Sequence, residues 1–278
     1  MTYLIHGATG AQGAPVAAAL TAAGLDVTAA VRTPSTYEGP GAAVAVDFTD
    51  TASLTSAYRD VGGVFVHLPI GSPAQQLAAA TAVADAAEAS RPARVVVSTS
   101  GYTLEDPESA LAVLVRRLDE AGISTAVVQP RLYLENLLLP FVAGPAKERG
   151  VLSYPIREDY AVSWSSHLDV ADVVVGLLRD SSITGIVGVG ALPGLLGKDL
   201  AASFEARLGQ PVSFESRDPD DFGTDLARLI GPGAAPVVDS YKWRATQPDE
   251  VIDEATSAQQ RLGISPRSVT DWLGQMGV

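Results

Sequence analysis

Apolar residues arrive in two rhythms along this chain of 278 residues. Up to about position 130, short unbroken apolar runs alternate with longer alanine-rich stretches. Tyr3-Leu4-Ile5-His6 and then 26–31, 43–46, 63–68, 94–97 and 125–129 have the length and β-branched content of strands buried on both faces. Between them, 14–23, 51–58, 75–90 and 109–121 read as helices, with Gly24 and Gly122 placed as C-caps. Strict alternation of strand and helix predicts an α/β fold, a doubly wound parallel sheet with its sites at the strands' carboxyl ends.

The rhythm changes after Tyr133. A helix is expected at 137–149, an extended segment at 151–155, and a helix opening at His167-Leu168-Asp169, with Asp169 as cap or brace. A late strand at 185–189, a helix at 194–209 and an extended 212–214 follow. The proline, glycine and aspartate of 218–237 suggest a lobe with mobile loops, and the tail at 249–273 includes a helix near its end. Two domains are expected: 1–132 with about 161–190, and a smaller C-terminal substrate lobe from about 133–160 and 191–278.

One turn carries chemistry. Between the first strand and first helix stands Gly7-Ala8-Thr9-Gly10-Ala11-Gln12-Gly13. Gly7 permits a sharp turn, Gly10 lets the backbone approach a phosphate, and Gly13 lets the helix pack on the strand. The helix aims its N-terminal amides and positive dipole end at the ligand, while Thr9 and Gln12 add polar contacts. A dinucleotide pyrophosphate fits this arrangement. Arg32 then ends the second strand, where an NAD site usually has a carboxylate for the ribose hydroxyls. An arginine there instead pairs with a 2′-phosphate, so the expected cofactor is NADP(H), with a solvated surface arginine the alternative reading. Asp47 and Phe48, after strand three, are placed to border the adenine, with Asp47 as cap of helix 51–58 the alternative. His67, Leu68 and Pro69 are expected along the nicotinamide half, with His67 a positioned polar group.

Composition narrows the classes. A net charge of −13 argues against nucleic-acid or anionic-membrane partners, and the absence of cysteine excludes disulfide and thiolate chemistry. His6, His67 and His167 lack paired-ligand spacing, which argues against a metal site. No signal-like leader or membrane-length apolar run is evident, so the economical expectation is a soluble cytoplasmic protein. It is expected to act on a small molecule, alone or as a homodimer.

GATGAQG after strand one, VR ending strand two, DFTD after strand three, PRLYLENL after strand six and HLDVADV before a late helix form a set. Together they resemble the NmrA-like branch of the atypical short-chain dehydrogenase/reductases, over about 2–209. The resemblance implies a Rossmann-type domain binding NADP(H), with a smaller lobe closing over the substrate. It spans quinone and carbonyl reductases, secondary-metabolite ketoreductases and non-enzymatic redox-sensing regulators.

The chain departs from the wider superfamily at one point. There, a tyrosine is followed four residues on by a lysine that lowers the phenol's pKa for proton transfer. Here Tyr102 is followed by Asp106, and none of the lysines, Lys147, Lys198 and Lys242, has a tyrosine four residues before it. The hydroxyls of Ser98, Thr99, Ser100, Tyr102 and Tyr133 are left as donors at strand ends, with water as proton source. Ser100, Tyr102 and Tyr133 are the catalytic candidates, and Ser98 is counted with the cofactor site. Strand-end capping for the serines and core packing for Tyr133 are the competing readings. The leading expectation is an NADPH-dependent ketoreductase or quinone reductase for a bulky, activated or aromatic polyketide-like substrate, with 132–142 and Trp164 read equally as pocket wall or as buried packing. The alternative is a non-catalytic NADP-sensing regulator. An epimerase or dehydratase of nucleotide sugars is disfavoured, because that chemistry leans on the missing pair.

Overall fold

The computed structural model describes residues 1–278. Seven parallel strands form its main sheet: β1 (Thr2–His6), β2 (Asp26–Val31), β3 (Ala42–Ala45), β4 (Gly63–His67), β5 (Val95–Ser98), β6 (Thr125–Pro130) and β8 (Gly185–Val189). Their order is β3-β2-β1-β4-β5-β6-β8. This is the doubly wound sheet read from the sequence. The strand order reverses between β1 and β4, and in such sheets the crevice at that reversal opens at the carboxyl ends.

The chain forms two compact units. The first comprises Met1–Pro130, His167–Val189 and Glu254–Ile264; the second comprises Arg131–Ser166, Gly190–Asp253 and Ser265–Val278. In the first, α2 (Thr51–Tyr58), α3 (Pro73–Ser90) and α4 (Ala110–Glu120) pack side by side over one core. There Leu54, Val83, Leu114 and Leu118 meet Leu4, Val64, Val66, Val95 and Val97 of the strands. The alternate strand positions Ile5, Phe65 and Val96 are equally buried, as are Val16 and Leu20 of α1 (Gly13–Ala22) and Val174 of α6 (His167–Arg179). Helices on both faces explain why the strands show no polar alternation.

Local chemistry sets the helix starts. Asp50 caps α2 by accepting from the amides of Ala52 and Ser53. That corrects the alternative reading of Asp47, whose carboxylate instead accepts from the amide and hydroxyl of Thr49, both at 2.8 Å. Ser72 and Gln75 form a capping box on α3, and Ser109 caps α4.

Residues 254–264, expected in the second lobe, cluster with the first unit. Their α10 (Ala258–Leu262) presents Arg261, which donates to the carbonyls of Ile186 and Thr184 on and before the edge strand β8, both at 2.8 Å. An exposed sheet edge carries unpaired backbone groups, and this segment satisfies part of them.

The second unit holds a small parallel sheet of β7 (Val151–Tyr154) and β9 (Ser213–Ser216), with α5 (Pro140–Arg149), α7 (Gly197–Leu208) and α11 (Val269–Gln275). The expected mobile loops at 218–237 are instead two helices, α8 (Pro219–Ile230) and α9 (Ala234–Arg244). Asp218 caps α8 with Pro219 at its first position, and Gly231, Pro232 and Gly233 make the corner. The residues that resembled loop punctuation are helix start and stop signals. Phe222 of α8 and Tyr241 of α9 pack edge-on against Tyr154. Trp164, read as either pocket wall or buried packing, is buried against the same ring. Arg244 and Glu250 pair beside it at 2.6 Å, both shielded from solvent. No helix of the chain is long and apolar enough to cross a membrane.

Arg94, just before β5, is 2 % exposed. Its guanidinium donates to Ser124 Oγ at 2.9 Å, to the Ser181 carbonyl at 3.1 Å and to the Ile183 carbonyl. It thereby ties the entries of β5, β6 and β8 together. Arg94→Met keeps the apolar stem and strands those acceptors, so it should lower stability by about 2–4 kcal/mol in urea unfolding. A change within about 0.5 kcal/mol would show the tie to be dispensable.

Candidate functional site

The glycine turn sits where β1 ends, beside the ends of β2 and β4. Gly7 has φ +63°, and a Cβ there would stand 2.2 Å from His67 Nε2. A Cβ on Gly13 would lie 2.2 Å from the Gly7 carbonyl oxygen and 2.5 Å from that of His6. Gly10 N–H closes the turn on the Gly7 carbonyl at 2.7 Å. Alone among α1 to α4, α1 has no side-chain cap. In its first turn Ala14 N–H is held by the Gly10 carbonyl at 3.1 Å and Pro15 has no N–H, so the Gly13 amide and the positive end of the helix dipole are what favour an anion at the turn. A bare backbone cradle and an uncapped helix N-terminus fit a dinucleotide pyrophosphate.

Gln12 stands at the N-cap position of α1, yet its side chain reaches elsewhere. Gln12 is 8 % exposed. Its Oε1 accepts from Ser98 Oγ at 2.8 Å, and its Nε2 donates to Ser100 Oγ at 2.9 Å. The turn is thus fastened to the end of β5. Ser100 N–H also donates to Ser98 Oγ at 3.2 Å. Ser100 has φ +55°, a left-handed conformation unusual for a residue with a side chain.

The second landmark is the exposed Arg32, which ends β2 beside Asp47 at the end of β3. Asp47 is held below the usual carboxylate range, first by its hydrogen bonds from Thr49 and last by the charge of Arg32. The two side chains therefore share one corner. Phe48 is half-buried, its ring 4.9 Å from that of His6.

The three histidines, far apart in sequence, gather in the first unit. His6 is fully buried and shares a 2.8 Å hydrogen bond with Tyr58 through Nε2, while Nδ1 has no partner. Burial first, and His67 second, push its imidazole down to about 3. The same two causes bring His167 down to about 4. Burial also lowers His67, whose Nε2 is buried without a hydrogen-bond partner against Gly7. All three rings are neutral near pH 7, which suits orientation and not acid catalysis.

A cavity of about 250 Å³ lies between the loop after β4 and the loop after β5. Leu68, Ser98, Thr99, Ser100 and Tyr102 line it, joined by Gln76 and Asp106. It exceeds the roughly 150 Å³ in which a benzene ring fits. Thr99 Oγ1 is buried there without a partner. Ile70 and Leu77, near Leu68 and Gln76 in sequence, are exposed apolar side chains, as is the ring of Tyr102. Of the catalytic candidates, Ser100 and Tyr102 meet in this cavity, and Tyr133 belongs to the second unit. The engagement of Gln12 with two serines was not read from the sequence, nor were Gln76 and Asp106 as cavity residues. A Ser-x-Ser at a strand end and an amide inside the glycine turn were the available signals.

Both His6 and His167 have folded pKa values below the ordinary 6.5. Below that value the unfolded chain takes up protons that the folded chain refuses, so stability is full above it and falls as pH drops toward 4. For His6 alone the loss between pH 6.5 and 5 should be about 2 kcal/mol. Urea midpoints near pH 7 and pH 5 check this, and His6→Gln should flatten the dependence. An unchanged slope in that variant would remove His6 as its source.

A model of the NmrA-like family matches residues 1–260. Among curated relatives, the (4-alkanoyl-5-oxo-2,5-dihydrofuran-3-yl)methyl phosphate reductase of Streptomyces griseus subsp. griseus is 27% identical over 98% of this chain and 96% of its own. The NAD(P)H azoreductase of Xenophilus azovorans is 29% identical over 76% of this chain and 75% of its own. Among solved structures, the NADPH-dependent quinone oxidoreductase of Escherichia coli, complexed with NADPH, aligns with a TM-score of 0.80 over 100% of both chains at 19% identity. That last likeness speaks for the fold.

Proposed function

The chain belongs to the NmrA-like family, and on that premise we propose that it is an NADPH-dependent reductase of a bulky aromatic or conjugated carbonyl compound or quinone. The two curated relatives are both reductases, which supports an oxidoreductase. The observation that carries the finer reading is the hydroxyl-lined cavity beside the glycine turn, with the exposed ring of Tyr102 in its lining and the exposed Ile70 on the loop after β4. Gly7, Gly10 and Gly13 would hold the pyrophosphate at the positive end of the α1 dipole. Arg32 would take the 2′-phosphate, with Thr9, Asp47 and Phe48 toward the adenosine and His67, Leu68 and Pro69 along the nicotinamide half.

Bound NADPH supplies a hydride. Hydride arriving at a carbonyl carbon moves the C=O π pair onto oxygen, and that oxygen needs a hydrogen-bond donor as charge develops. Ser100 is the donor best placed by the turn, with Tyr102 beside it in the cavity. Water then delivers the proton. Without a tyrosine–lysine pair the chemistry favours acceptors whose reduced oxygen is weakly basic. A hydroquinone anion or an enolate meets that requirement; an aliphatic alkoxide does not.

Purified protein mixed with NADPH and a panel of quinones, polycyclic ketones and simple ketones should oxidise NADPH with the first two and spare the third. Tight NADPH binding with no oxidation by any acceptor would move the assignment to the sensor reading. Arg32→Ala should weaken NADPH by about tenfold to a hundredfold, the range for a charge-assisted phosphate contact, and leave NADH within about twofold. Equal losses for both dinucleotides would remove the 2′-phosphate role.

A further inference from the structure

We infer that Gln12 is a positioning residue, which fixes Ser100 with its hydroxyl hydrogen turned out into the cavity. This rests on the reductase reading for what that hydrogen meets, but the clamp itself stands on geometry within the first unit.

The direction of each hydrogen bond follows from burial. Ser98 is fully buried, so its hydroxyl hydrogen needs an internal acceptor, and Gln12 Oε1 at 2.8 Å supplies one. That choice fixes the amide, because flipping it would leave the Ser98 hydrogen facing an NH₂ group. Gln12 Nε2 must therefore be the atom 2.9 Å from Ser100 Oγ, and it donates. Ser100 Oγ then accepts from inside the protein, and its own hydrogen is left to donate outward. Ser100 is half-buried and lines the cavity, so that outward path is open. The Ser100 amide is also tied, by its bond to Ser98 Oγ, while its backbone is held at φ +55°.

Two consequences follow. The hydroxyl becomes a pre-aimed donor, the form in which a hydrogen bond contributes most as charge develops on an acceptor. The element that aims it is the dinucleotide turn itself, since Gln12 stands between Gly10 and Gly13. The cofactor cradle and the donor to the hydride acceptor are thereby parts of one hydrogen-bonded unit. The amide is spent on serines and not on the cofactor, which gives Gln12 a role different from the polar mouth contact read from the sequence.

Gln12→Glu separates this role from a structural one. A carboxylate still accepts from Ser98 but must also accept from Ser100, which pulls the outward hydrogen inward. Menadione and phenanthrenequinone serve as acceptors. With either, Gln12→Glu should lose about 10²–10³-fold in kcat at neutral pH, as should Ser100→Ala. The double variant should be no slower than Ser100→Ala alone. Activity of Gln12→Glu should return as pH falls and the carboxyl regains a hydrogen to donate. Losses that multiply in the double variant, or a Gln12→Glu profile parallel to wild type, would overturn the donor orientation.

A second measurement needs neither cofactor nor substrate. Melting temperatures of wild type, Gln12→Met, Ser100→Ala and the double variant should be non-additive by about 2–4 °C, the shift expected for one coupled contact in a chain of this size. Additive shifts would show that no clamp exists. If wild type reduces neither quinone while the melting cycle is coupled, the clamp stands and the reductase reading fails.

Discussion

The backbone of Gly13 lies so close to the carbonyls of His6 and Gly7 that no side chain can stand between them. That approach brings the first helix directly onto the end of the first strand. It leaves the positive end of the helix dipole at a turn with no bulk of its own. His67 closes the other side, its ring against Gly7 where a methyl group would otherwise be. An anion placed there meets peptide dipoles instead of side chains, and this is why the turn reads as a phosphate cradle and not as a loop.

The histidines and Tyr58 follow from the same closeness. A strand that ends on His6 and a neighbour that ends on His67 bring two imidazoles under the turn, where burial keeps them neutral. A charged imidazole there would strengthen anion binding but would carry the full desolvation penalty of a buried ion. The fold resolves this by leaving the positive potential to the helix dipole. Arginine is kept for the exposed corner at Arg32, where water shares the charge.

Much of this was legible in the sequence because it rests on local signals. Gly7, Gly10 and Gly13 stand at fixed spacing, apolar runs mark the strands, and β2 (26–31) and α2 (51–58) fall on the residues expected. What could not be read depends on distant partners. Gln12 and Ser98 lie far apart in the chain, and only the parallel neighbours β1, β4 and β5 bring them together. The three histidines looked scattered for the same reason. Asp47 lost the capping role to Asp50 because either aspartate satisfies the local rule, and geometry chose the one with extended backbone directly before Thr51. At 218–237 the error ran the other way. Composition suggested loops, but Asp218, Pro219 and Gly231 are boundary residues, and Phe222 and Leu226 form the buried stripe between them.

The absence of lysine behind Tyr102 and the presence of Gln12 behind Ser100 belong to one argument. A tyrosine–lysine pair works by lowering a phenol's pKa, so it serves acceptors that demand a whole proton as the hydride arrives. A neutral amide holding a serine does nothing to a pKa of that kind. In the proposed reductase it would offer direction, a single hydrogen aimed at a developing charge, and would leave proton delivery to solvent. As a reductase, such a site would discriminate by the basicity of the reduced product: the more an acceptor spreads its own charge, the less it would need from the protein. On the proposed reductase reading, the chemistry left out of the cavity would define its substrates as much as the hydroxyls that line it.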